Sequence, residues 1–286
     1  MLERHEFKRW IEASHAMFEI FEGRYDAYPL AKKWVQEWFS FGNFVVEEDH
    51  LNRTFALIEN FDYEVYDVKG EFKEKIDGMF RNFLRDNLCI GRNEDIGFAV
   101  SPYLFTWNFR RFKEYFKKRP DFNIEQYFRN LGDFLKNLKN ELESFRNRKL
   151  IFDQLRRKEI EEIFDQVNNK LKEIGMGYNE PVGTIKLLHI FAPCYFPLID
   201  GDIAETVGLI HSHFVRGRRI RESLTSDSYF KWMSALKVWL QRYSDVVEKL
   251  ENEHNFSILK LVDEGLYMMS TVKQRARVAE LGLKVD

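Results

Sequence analysis

The chain has 286 residues, of which 44% are hydrophobic, 16% aromatic and 31% charged, with a formal net charge of −2. That length suits one large domain or two small ones, and the apolar fraction allows a sizeable core. Two cysteines, Cys89 and Cys194, exclude a four-cysteine zinc or iron–sulfur site, and no apolar run reaches the roughly 20 residues that a bilayer span needs.

The opening "MLERHEFKRWIE" is charged from its third residue and shows no signal peptide. The expectation is a soluble, cytoplasmic protein with reduced core cysteines, and no membrane partner. Dense charge with 6 Pro and 2 Cys fits a heat-adapted (thermophilic) protein.

In chain order, "EFKRWIEASHAMFEIFEG" and "LAKKWVQEWFSFG" open as helices, each ending at a glycine. Between residues 43 and 100, "NFVVEE" and "YEVYDV" are short, β-branched and able to pair, with "DIGFAV" as a third strand signal. Helical spacing then dominates. "NIEQYFRNLGDFLKNLKNELESFRNRK" reads as one long helix, and "RKEIEEIFDQVNNKLKEIG" as another stopped by Gly175. "SYFKWMSALKVWLQRYSDVVEKLE", with Asp227 as its cap, and "FSILKLVDEGLYMMSTVKQR" continue the pattern. The fold expectation is a mainly α, multi-helix globular protein with a small β-hairpin or sheet in its N-terminal third. Composition shifts near Leu88 to Gly97, which suggests a mixed α/β region over 1–95 and a helical domain over 96–286.

Charge is unevenly spread. Residues 1–100 carry 13 basic and 20 acidic side chains, whereas residues 101–160 carry 15 and 8. The middle block therefore suits an anionic partner, or pairs with the acidic N-terminal block.

The stretch "EPVGTIKLLHIFAPCYFPLIDGDIA", Glu180 to Ala204, combines two glycines, a lysine, a histidine, three prolines and acids. Plain structure accounts for it: Gly183 as a turn, "TIKLLHIFA" as a short buried helix ended by Pro193, and Asp202 as an N-cap with Glu205 three residues on. The order Gly183, Lys186, Pro197, Asp200 also resembles the core of the helix-hairpin-helix DNA glycosylase superfamily. That resemblance implies an all-helical fold whose hairpin amides, at Gly183 and Thr184, hold a DNA phosphate. It also implies Lys186 as a nucleophile on C1′ of an extruded nucleotide, with Asp200 managing protons and charge. The match departs from the family in lacking the first hairpin glycine, in the lysine offset, and in the 14-residue Lys-to-Asp interval.

Arg216, Arg218, Arg219 and Arg221, within six residues, suit a phosphate clamp or a solvated loop. "FRNRKLIFDQLRRKE" is a second basic cluster. "SPYLFTWNFRRFKEYFKKRP" interleaves rings with cations, as base stacking requires, yet its 105, 109, 112, 116 spacing equally fits rings facing a core. The seven histidines form no zinc pattern, and neither a metal nor another cofactor is expected. The functional expectation is a DNA-binding protein with a glycosylase-like core, active in base excision or abasic-site cleavage. The alternative is a non-catalytic helical scaffold or partner-binding protein of unknown role.

Overall fold

The computed structural model describes residues 2–23, 26–119, 121–215 and 218–271. It is mainly helical with short antiparallel strands, as expected, and no described helix is long and apolar enough to cross a membrane. The residues group into two compact units that interleave along the chain: 1–21, 144–168 and 184–286 in one, 22–143 and 169–183 in the other.

The second unit is built around a helix that is buried along nearly its whole length. Helices α2 (Tyr28–Phe41), α3 (Glu48–Glu59), α4 (Gly70–Asn87), α5 (Ile96–Trp107), α6 (Phe109–Lys118) and α7 (Ile124–Asn137) belong here. Strands β1 (Phe44–Val46) and β2 (Gly91–Asn93) pair antiparallel, with Val45 opposite Arg92. Every residue of α5 from Ile96 to Thr106 is buried, because α2 and α7 both pack on it. Gly97 and Gly132 make the α5–α7 crossing possible: a Cβ on Gly97 would stand 2.0 Å from the Phe128 carbonyl oxygen. Pro102 lies inside α5 and lacks an N–H for the Phe98 carbonyl. Ser101 Oγ donates to that carbonyl instead, at 2.9 Å.

Two strand expectations fail in this unit. "YEVYDV" forms a short 3-10 turn, Tyr63–Tyr66, whose entry is held by Asp62 accepting from Glu64 N–H. "DIGFAV" starts α5, with Asp95 as the N-cap accepting from Gly97 N–H at 3.0 Å. The partner of "NFVVEE" is therefore the "GRN" of β2, which carries no β-branched signal. The rings of the Tyr103 to Phe116 segment go inward: Tyr103, Phe105, Phe109, Phe112, Tyr115 and Phe116 are buried, with Phe80 stacked on Phe105 at 3.4 Å between centroids. They are core residues and are not open to bases.

The first unit holds α1 (Arg4–Phe21), α8 (Lys139–Arg146, of which the last turn belongs here), α11 (Gly201–Thr206), α12 (Ser226–Gln241), α13 (Ser244–His254) and α14 (Ile258–Thr271). The border between the units falls inside α9 (Arg157–Ile174) and α10 (Pro181–Phe191). Helix α1 packs along α14. Gly265 permits the approach, since a Cβ there would lie 2.4 Å from the Trp10 ring. Phe7 stacks on Tyr243 at 4.1 Å and meets the edge of Trp239. The two long apolar stripes each break once: α7 gives way to α8 at Leu138, and α12 to α13 at Arg242 and Tyr243. Thr225, not Asp227, caps α12, in a reciprocal box with Ser228. Strands β3 (Ser212–Val215) and β4 (Arg218–Arg221) form a hairpin where the sequence suggested an arginine loop.

Neither cysteine forms a disulfide, and Cys89 is exposed rather than a core residue.

Candidate functional site

The Glu180–Ala204 stretch folds as its plain reading requires, with two changes. Helix α10 begins at Pro181, whose missing N–H costs nothing in a first turn. Gly183 is its third residue and has no left-handed φ; the left-handed glycine of the preceding connection is Gly177, at φ 75°. Gly183 is instead a place of close packing, because a Cβ there would lie 3.1 Å from Asn108 Nδ2. Both Gly183 and Thr184 are buried, and Thr184 Oγ1 finds no hydrogen-bond partner among the described residues. The second change is the cap: Asp200, not Asp202, is the N-cap of α11, its Oδ1 accepting from Ile203 N–H at 2.7 Å.

Between these helices the chain turns through "APCYFPLI", which is fastened from both sides. His189, fully buried, bonds through Nδ1 to the Phe196 carbonyl at 2.7 Å. Tyr229 Oη donates to the Pro197 carbonyl at 2.9 Å. A connector pinned this way fixes where Asp200 emerges relative to Lys186, two positions that no single helix relates.

Lys186 on α10, Asp200 at the head of α11 and Asp263 on α14 then form one electrostatic group. Each side chain is half-buried. The ammonium is packed about by protein, and burial lowers its pKa to about 8, against the upward pull of Asp200 and then Asp263. Burial raises Asp200, with the Ile203 N–H and Lys186 opposing. Burial also raises Asp263, to about 7, with Lys260 as the main opposing charge. The opposite directions share one cause: each group loses water that its charged form needs. Behind them lies a second layer. Glu264, fully buried, bonds to His15 Nδ1 at 2.7 Å and lies 3.2 Å from Lys260 Nζ. The Lys260 ammonium stands 4.3 Å over the Phe18 ring.

The chemistry open to this group is that of an amine with adjacent acids. At pH 7 a lysine of pKa 8 is neutral in about a tenth of molecules, against roughly 3 in 10,000 at its ordinary value. Only the neutral form has a lone pair for attack on an electrophilic carbon. Among the described residues, no group of three or more His, Cys, Asp or Glu is placed to hold a metal ion.

The arginine cluster is less concentrated than its sequence suggests. Arg221 Nη2 binds Asp202 and also Glu205, the latter at 3.0 Å, so its charge is matched within the fold. Gly201 makes room for it: a Cβ would lie 2.7 Å from Arg221 Nη1. Arg218 and Arg219 lie on β4, with Arg219 opposite Phe214, which is 74% exposed. Arg216 lies outside the described residues. The second basic cluster is paired as well, Arg148 and Arg156 with Glu159, and Arg157 with Glu161 and Asp227. A surface hollow lined by Asp245, Glu248, Lys249, Asn252 and Glu253 follows the outer side of α13 and shares no residue with the Lys186 group.

Sequence reasoning missed Asp263, Lys260, Glu264 and His15. "DEGLYMM" reads as core helix because half-buried Asp263 and buried Glu264 leave the apolar spacing around them intact. The usable signal is "LKLVDEG", three charges on the face of an otherwise apolar helix. No family model, no curated protein and no solved structure matches the chain.

Proposed function

We propose that the chain is a nucleic-acid-binding protein with a glycosylase-like site, which uses Lys186 as an amine nucleophile in base excision or abasic-site cleavage. One observation carries the reading: the Lys186 amine has its pKa lowered by burial, and carboxylates from two other segments, Asp200 and Asp263, act on it. Attack at C1′ needs a neutral amine, and departure of the base or of water needs a proton donor nearby; this group contains both. Recognition of phosphate falls to the β3–β4 hairpin, where Arg218 and Arg219 stand, rather than to Gly183 and Thr184.

The test is borohydride trapping on duplexes that carry an abasic site or a damaged base. The reading expects a covalent adduct that disappears in Lys186→Ala, and DNA binding that weakens steeply with salt. An absent adduct, or one that survives Lys186→Ala, removes the enzymatic claim.

The second reading, a non-catalytic scaffold, draws on the pairing behind the site: His15 bonds to Glu264, and Lys260 forms an ion pair with the same carboxylate. It expects Lys186→Ala to change stability rather than turnover, and loss of Arg216, Arg218 and Arg219 to leave DNA affinity untouched.

A further inference from the structure

The β3–β4 hairpin has a stem built into the first unit and, beyond it, side chains that face solvent. At the stem, Ile210 and Leu224 are buried. The Glu222 N–H donates to the His211 carbonyl at 2.9 Å, and the His211 N–H donates to Glu222 Oε2 at 2.9 Å. Arg221 ties the ribbon to α11 through Asp202 and Glu205. The ribbon therefore keeps a fixed direction relative to α11. Beyond the stem, His213, Phe214 and Ile220 are exposed. Phe214, at 74%, is the most exposed large apolar side chain among the described residues. Register sorts these positions: Ser212 lies opposite Arg221, His213 opposite Ile220, and Phe214 opposite Arg219. Opposite residues share a face of the ribbon, and successive residues alternate between faces. Phe214 and Arg219 thus hold the face that carries Arg221, roughly 7 Å further along the ribbon from the α11 anchor. Ile220 holds the other face. No acidic residue stands between Glu205 and Glu222, an interval that contains four arginines and two histidines.

We infer that Phe214 is a platform on which an unpaired base stacks, so that the hairpin prefers single-stranded nucleic acid to duplex. This rests on the nucleic-acid part of the proposed function and not on the chemistry of Lys186. The excess of cations along the ribbon selects an anionic partner. Lipid headgroups and acidic peptides are anionic too, and the register disfavours both. A membrane-inserting ribbon gathers its apolar side chains on one face, whereas Phe214 and Ile220 stand on opposite faces. An acidic peptide would be held by the arginines alone and would leave the ring uncovered. A ring position beside a cation position matches a nucleotide, whose base offers a flat π face next to its phosphate. In a duplex those faces are already stacked on one another, and opening a step costs energy. The gain from the ring therefore falls to unpaired bases.

The experiment uses the full chain and three probes: a fluorescein-labelled mixed-sequence single strand, the blunt duplex made from it, and vesicles of phosphatidylserine in phosphatidylcholine. Anisotropy reads the nucleic acids and co-sedimentation reads the vesicles. The wild type should bind the single strand more tightly than the duplex. Phe214→Ala should weaken single-strand binding about tenfold and duplex binding less than about twofold, and Phe214→Trp should keep the wild-type affinities. Arg219→Ala should weaken both nucleic acids alike and make binding less dependent on salt. Because Phe214 faces solvent, both of its variants should keep the wild-type thermal melt. If the wild type binds the single strand and Phe214→Ala stays within about twofold of it, the inference is overturned and the nucleic-acid reading stands. An equal loss on single strand and duplex overturns it as well. Binding to neither nucleic acid, with or without binding to vesicles, overturns both. A Phe214-dependent preference for the single strand in a protein that gives no borohydride adduct upholds the inference and removes the enzymatic claim.

Discussion

Replacing Glu180 by glutamine should stabilise the protein at neutral pH and leave it unchanged in acid. Glu180 precedes α10 and is 2% exposed. Asn108 Nδ2 donates to its Oε2 at 3.4 Å, a long bond. Glycines crowd it, since a Cβ on Gly175 would lie 2.9 Å from Oε1. Burial raises the carboxyl to about 8, with Arg111 and Asn108 opposing. The folded protein therefore keeps the Glu180 proton at pH 7, while the unfolded chain sheds it above the ordinary value of 4.5. Stability from this group is complete below pH 4.5 and is lost as pH rises through about 8. At about 1.4 kcal/mol per pH unit, roughly 3 kcal/mol is gone by pH 7. Glutamine keeps the shape and never ionises, so Glu180→Gln should gain about 2–3 kcal/mol at pH 7. Urea unfolding of the full chain, followed by circular dichroism near pH 5 and near pH 7.5, measures it. A gain of the same size at both pH values, or a loss at the higher one, would refute the argument.

Gly97→Ala should cost more than about 2 kcal/mol, because its Cβ would meet the backbone of Phe128 and no side-chain rotation relieves that. Gly78→Ala, in open space on α4, should instead stabilise by up to about 1 kcal/mol; paired thermal melts report both. Asp200→Ala should lose about 1 kcal/mol of helix capping, which Asp200→Asn largely retains. The comparison of their melts separates capping from charge.

The helices were legible because their apolar spacing is long and regular, and the α1, α2 and α9 segments end close to the glycines that mark them. What escaped were features set by distant partners. Leu138 continues the apolar stripe of "DFLKNLKNELESF", yet the backbone turns there into α8. The "GRN" of β2 pairs with β1 only because α5 starts at Asp95 and brings it alongside. Val and Tyr in "YEVYDV" lost their strand preference to the local turn at Asp62. At the site, Lys186 and Asp200 could be named from residue order. Their neighbour Asp263 lies 63 positions beyond Asp200, and only the packing of α14 on α11 brings the two together. The choice between Asp200 and Asp202 as the cap depended on one backbone bond, to Ile203 N–H.

The central claim is a lysine amine made reactive by its surroundings, and it can be measured without any substrate. Lys186 can be labelled competitively with an amine-selective reagent across pH, and its peptide quantified by mass spectrometry. The account predicts a midpoint of about 8. A midpoint at the ordinary 10.5, or no labelling at any pH in the folded protein, would contradict it.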